Sequence, residues 1–220
     1  MRKGWDMQRL FRDRAGNIKE LVNESEGISF QESPLDFFIL LARYKFAARI
    51  LDGNDTALDA GCGHGLGSVM LSKFARSVTG LDADQELVKH CQDTYGHLQN
   101  LSFIQGDLRD LSGLKGQFDT VVCLDVIEHF AAEDAHVVLD NLSSALTSRG
   151  MLVIGTPNAR SQEFGSDRRK QTHAFEYDYP TFREMLGARF KRFIVFSMTD
   201  ELVGTGFSEL AWYFMGTCFK

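Results

Sequence analysis

The sequence predicts a doubly wound α/β fold, a mostly parallel sheet with helices on both faces. Three observations predict it. Short apolar runs alternate with helix-like stretches between residues 56 and 155. The first run ends in a glycine-dense turn, "ALDAGCGHGLGS" at 57–68, with glycines at 61, 63, 65 and 67. The composition, 44% hydrophobic and 25% charged over 220 residues, suits one sizeable core rather than a fibre or an unfolded chain.

The elements follow in order. Residues 1–33 are charged, weakly periodic and end in turn formers, "NESEGISFQES", which reads as an extension or lid ahead of a single domain over 34–220. Ser33 before Pro34 is an N-cap with a first-turn proline, opening a helix through "LDFFILLARYKFAARIL" that Gly53 and Asn54 end. Strand-like runs lie at 56–60, 77–81, 101–105, 118–124 and 151–155, with helices at 65–74, 84–95 and 132–147 between them. After "TPN" the alternation lapses into "ARSQEFGSDRRKQTHAFEYDY", a polar segment without clear period. Connections of that length in a compact domain are usually functional or mobile. Tyr179-Pro180-Thr181 opens a further helix to about 188, and "FKRFIVFSM" and "LAWYFMGTCFK" read as two closing strands.

Charge and cysteine usage narrow the function. A formal net charge of -6 supplies no basic field, so duplex nucleic acid is a poor partner and a small molecule a better one. Cys62, Cys91, Cys123 and Cys218 form no Cys-x-x-Cys pair, which speaks against a zinc knuckle and for reduced thiols. The N-terminus lacks an apolar signal core, and no apolar run is long enough to cross a bilayer. The expectation is a cytoplasmic protein without membrane insertion.

A strand that ends in Asp59 and turns through Gly61, Gly63 and Gly65 into a helix brings bare backbone to a ligand at the carboxyl edge of the sheet. A dinucleotide fingerprint needs glycine or alanine at its sixth position, where the two possible registers have Leu66 and Ser68; a P-loop needs a lysine that does not follow. Asp82 in "VTGLDADQELV" closes the second strand about twenty residues on, where a carboxylate accepts hydrogen bonds from ribose hydroxyls; Asp84 is the cap of the next helix. In "FIQGDLRDL", Asp107 can take an adenine amino group while Leu108 covers the ring.

Taken together, "ALDAGCGHGLG", "VTGLDAD", "IQGDL" and "FDTVVCLDVIEHF" resemble the class I S-adenosylmethionine-dependent methyltransferases, closely over residues 50–157 and in outline beyond. The resemblance implies a Rossmann-like sheet of seven strands, six parallel and the last antiparallel, with S-adenosyl-L-methionine as cofactor and S-adenosyl-L-homocysteine as product. It implies that Asp59, Ala60, Gly61, Cys62, Gly63 and Gly65 approach the methionine portion. Asp82 with Ala83 would hold the ribose, Asp107 and Leu108 the adenine, and Leu124 and Asp125 would line the site near the amino group and sulfonium. So many acids suit a cationic ligand without phosphates. Tyr44 and Arg43, on the helix before the first strand, would close over cofactor or acceptor.

"DVIEHF" with the later "GTPN" narrows the resemblance to enzymes that methylate oxygen on small molecules. A hydroxyl of a sugar, surface-polysaccharide precursor or secondary metabolite ranks ahead of a phenolic quinone precursor. A binding module that keeps the pocket without chemistry is the competing class. Methyl transfer is an in-line displacement that needs alignment and often removal of the acceptor's proton. His129 is the first candidate base, because imidazole titrates near neutrality and the segment after the fourth strand faces the methyl group in this fold. His173, in the polar segment with Phe175, Glu176 and Tyr177, is the second. Some quinone-precursor relatives bind a divalent ion through an acid-x-x-Glu-His arrangement; here Asp125, Glu128 and His129 occupy it without a second cluster to complete the shell, and no metal is expected.

Overall fold

Strand β1 (Thr56–Ala60) shows how the sequence builds two layers at once. Side chains alternate across a strand, so Leu58 and Ala60 enter one hydrophobic core while Ala57 enters the other. Strand β4 (Phe118–Leu124) repeats the division, with Val121 and Cys123 on one side and Val122 and Leu124 on the other. A strand buried on both faces reads as a continuous apolar run, which is what the sequence shows. Each fully buried Leu, Ile, Val or Phe contributes roughly 1.5–3 kcal/mol.

The computed structural model describes residues 34–165 and 167–220; the expected extension at 1–33 and its capping Ser33 lie outside them. Helix α1 (Pro34–Ile50) precedes β1, and helix α2 (Leu66–Leu71) follows the glycine turn. Next come strand β2 (Ser77–Asp82), helix α3 (Gln85–Tyr95) and strand β3 (Leu101–Gln105). Asp84 caps α3, its carboxylate accepting from the Glu86 and Leu87 amides. Helix α4 (Ala132–Ala145) runs into strand β5 (Leu146–Pro157). Helices α5 (Asp167–Thr172) and α6 (Tyr179–Arg189) and strands β6 (Arg192–Thr199), β7 (Leu202–Gly204) and β8 (Tyr213–Phe219) complete the chain.

The strand order is β3-β2-β1-β4-β5-β8-β6-β7. The neighbours from β3 to β5 are parallel, while β8 runs antiparallel to both β5 and β6. The sheet thus has eight strands rather than the expected seven. The addition is β7, a three-residue edge strand folded antiparallel onto β6 through a left-handed Asp200. Three residues are too few to register as a period, and "TDE" carries no glycine to announce a hairpin. The strand order reverses between β1 and β4, the crevice where open α/β sheets take their ligands.

The polar segment after β5 also departs from expectation, because it is folded. Asn158 is fully buried, its side chain donating to the Ala211 carbonyl and capping a 3-10 turn at Ala159–Phe164. After α5 the chain bridges back, with Tyr177 paired to Asn158, and α6 opens on a capping box of Asp178 and Thr181 with a first-turn proline. Among the described residues no helix is long and apolar enough to cross a membrane.

Candidate active site

The turn after β1 is built from both sides. Gly61, Gly63 and Gly65 adopt left-handed φ values of 80°, 52° and 80°. At Gly61 this is compounded by contact, since a Cβ there would strike Val126. The Gly61 and Cys62 amides donate to the Leu81 carbonyl at 2.8 and 3.0 Å, and the Gly63 amide to Asp82 at 2.9 Å, fastening the turn to β2. Ala60 and Cys62 are buried within it. Asp59 faces inward and is fully buried, accepting from the Ser68 hydroxyl at 2.6 Å and the Tyr44 hydroxyl at 3.2 Å. Burial pushes its carboxyl up to about 6.

Asp82 ends β2 half-buried and also accepts the Asp84 amide at 3.0 Å, beside an exposed Ala83. Asp107 lies past β3, bound by Arg109 through contacts of 2.6–3.1 Å that hold its carboxyl below the usual range. Leu108 is buried in the same core as Leu81 and Leu111.

At the end of β4, Leu124 is buried and Asp125 takes a left-handed conformation, φ 58°. The Asp125 amide donates to the Gly155 carbonyl and to the Tyr213 hydroxyl, each at 3.1 Å. Its carboxylate receives Arg43 at 2.5 and 2.6 Å, and the Arg43 guanidinium lies 3.8 Å over the Tyr213 ring. Arg43 Nε is buried and has no hydrogen-bond partner among the described residues. Tyr213 escaped the sequence reading, which placed it only within a closing strand. The Arg43–Asp125 pair spans 82 residues, beyond any local pattern.

A 3-10 turn at Ile127–His129 follows. Glu128 is buried; one carboxyl oxygen accepts from Thr156 at 3.0 Å and the other has no partner among the described residues. Burial, reinforced by Asp125, pushes its carboxyl up to about 8. The Glu128 carbonyl accepts from the Ala174 and Phe175 amides, which docks the polar segment onto this turn.

That docking joins the two candidate bases. The rings of His129 and His173 stand nearly perpendicular with centroids 5.1 Å apart. His129 is exposed, its Nδ1 3.0 Å from the Thr172 carbonyl. His173 Nδ1 lies 2.6 Å from Glu176, which is buried and also accepts two bonds from Arg169. Burial pushes the His173 imidazole below its ordinary value, outweighing Glu176. A donor atom from each of Glu128, His129 and His173 lies within 4.8 Å of the other two, whereas Asp125 is engaged by Arg43.

Comparison with known proteins agrees with this architecture. Residues 57–150 match the model of a methyltransferase domain family. A magnesium-protoporphyrin O-methyltransferase of Synechocystis is 29% identical over 152 residues, 63% of this chain and 64% of that protein. A ubiquinone biosynthesis O-methyltransferase of Xanthomonas campestris is 33% identical over 125 residues, 54% of this chain and 49% of that protein. The chain therefore spans less than two thirds of either relative's length. The PH0226 protein of Pyrococcus horikoshii shares the fold at 18% identity, with a TM-score of 0.67 over 90% of this chain and all of that one. The glycine turn and the strand order agree with the matched domain, so the chain carries a methyltransferase domain at residues 57–150 on a Rossmann-like methyltransferase fold.

Proposed function

We propose that the chain transfers a methyl group to an oxygen of a small molecule, in first place a hydroxyl of a sugar, polysaccharide precursor or secondary metabolite. The observation that carries this reading is the imidazole pair at 5.1 Å, on a turn whose Val126 packs against Gly61. The cofactor residues fit an adenosine with a cationic sulfur. Gly61 leaves no room for a side chain, Asp82 is only half-buried at the end of β2, where ribose hydroxyls would meet it, and no lysine follows the glycines to ask for phosphate. The Nε of Arg43, without a partner among the described residues, is a buried cationic donor that a ligand oxygen would satisfy.

S-adenosylmethionine, when bound, supplies an electrophilic methyl group on a positively charged sulfur. The chain's own part is to align the acceptor, exclude water and receive the hydroxyl proton on an imidazole. Asp59 does not need to touch the ligand for this. Buried between Ser68 and Tyr44, it ties α1, the turn and α2 together. No divalent ion is required by this scheme, and turnover should persist in chelator.

The Synechocystis and Xanthomonas relatives are both O-methyltransferases, which supports oxygen as the acceptor atom. The 33% identity to a ubiquinone biosynthesis enzyme favours a second reading, a phenolic acceptor. Incubating the chain with S-adenosylmethionine and separate panels of nucleotide sugars, glycosides and catechols, with mass spectrometry of the products, decides between them. A gain of one CH2 on a sugar or glycoside supports the first reading, and the same gain confined to catechols supports the second. Binding of S-adenosylhomocysteine without turnover of any hydroxyl would leave a non-catalytic binding module instead.

A further inference from the structure

We infer that Glu176 is a positioning residue which makes His173, rather than His129, the group that takes the acceptor's proton; the inference rests on the methyl-transfer reading above.

A carboxylate held by two Arg169 bonds, at 2.7 and 3.0 Å, can only accept hydrogen bonds. The 2.6 Å contact to His173 Nδ1 therefore places the imidazole hydrogen on Nδ1 and leaves the lone pair on Nε2. Thr172 does the same for His129, because a backbone carbonyl likewise accepts only. Both rings thus present an unprotonated Nε2, and what separates them is the partner behind Nδ1. A cation formed on His173 lies against a carboxylate that is 4% exposed, whose charge-assisted bond counteracts the burial that lowers this imidazole's proton affinity. A cation formed on exposed His129 lies against a neutral carbonyl in water.

The step balances as follows. The acceptor O–H bond breaks and its proton goes to His173 Nε2. The oxygen pair forms the new bond to the methyl carbon, and the carbon–sulfur pair returns to sulfur, leaving a neutral thioether. The His173 proton then passes to water.

Glu176 also has a structural alternative. Arg169 reaches the Asn158 carbonyl and Ser161 as well, so the Arg169–Glu176 pair could serve only to staple the polar segment to β5. The test separates the two roles. Long-range proton–nitrogen correlation spectra of the full chain with S-adenosylhomocysteine bound should show His173 in the Nδ1–H form, and Glu176→Gln should lose that fixed tautomer. On the first acceptor methylated in the panels, Glu176→Gln should lower kcat about 10- to 100-fold with little change in KM. Its thioether affinity should stay near wild type even where the unfolding temperature falls with the loss of the Arg169 pair, and Glu176→Asp should recover most of the rate. His173→Gln should lose about 10²-fold or more, and His129→Gln less.

An Nε2–H tautomer at His173 in the wild type overturns the proposal. So does joint loss of stability and thioether affinity in Glu176→Gln, which marks a staple, or turnover that needs an added divalent cation and stops in chelator. A chain that binds the thioether yet methylates nothing overturns the methyl-transfer reading and this assignment with it, while the spectra still report whether Glu176 sets the tautomer.

Discussion

Asp59 and Asp82 end neighbouring strands and meet the same glycine turn, yet they differ in what surrounds them. Asp59 is sealed under Tyr44 and Ser68, while Asp82 accepts from the Gly63 amide and is only half-buried. Replacing Asp82 with Ala should weaken S-adenosylhomocysteine binding by about 1.5–3 kcal/mol, the loss of a charged acceptor, as read by titration calorimetry; unchanged affinity would remove Asp82 from the site. Glu128 gives a pH dependence whose sign follows from its raised value. The folded chain holds the proton up to about pH 8, while the unfolded chain releases it near the ordinary carboxyl value of 4.5. Between those values the folded state binds more protons, so stability falls as pH rises. Denaturant unfolding at pH 6.5 and 9 should show a wild-type loss of about 2 kcal/mol that Glu128→Gln largely abolishes. Equal losses in both proteins would mean that another group carries the effect. Residue types and spacings were legible at this scale for Asp82 and the glycines. The engagement of Asp107 by Arg109, two residues away, is equally local.

Helices α1 and α2 illustrate contact between elements. Tyr44 lies so close over Gly67 that a Cβ at that position would enter the phenol ring. Gly67→Ala should therefore destabilise the fold by about 1–3 kcal/mol through overpacking, although alanine is the better helix former, and thermal unfolding will show whether the sign is right. The same contact presents the Tyr44 hydroxyl to Asp59, so displacement of α1 would also disturb the glycine turn. Long elements with a clear period were readable from the chain: β1 to β5, α3 with its Asp84 cap, and α6 with its proline. Short ones were not. The edge strand β7 and the turn-helix path of 158–178 depend on tertiary partners, namely β6, Asn158, Arg169 and the Glu128 carbonyl, and carry little periodicity of their own.

The whole molecule is a sheet whose carboxyl edge gathers side chains from distant stretches of chain. A ligand that binds only this assembled edge stabilises all of it by mass action. S-adenosylhomocysteine at about a hundredfold over its Kd should add roughly 2.7 kcal/mol and raise the unfolding midpoint by about 5–10 °C, and nicotinamide dinucleotides should add nothing. Absence of the first shift in a folded protein would contradict the cofactor assignment. The sequence by itself determined the alternation of strand and helix, the two-faced burial of the central strands and the bare backbone at residues 61–65. Those properties follow from periodicity and from glycine's freedom at positive φ, which act over a few residues. Only the tertiary structure decided which side chains meet: Arg43 with Asp125 over Tyr213, Glu128 with Thr156, and His129 with His173 backed by Glu176. Most of these pairings join stretches brought together by the parallel crossovers and the antiparallel last strand. Hydrogen-bond and charge partners across a sheet edge leave no trace in local spacing, because burial constrains each residue's polarity and size but not the identity of its neighbour.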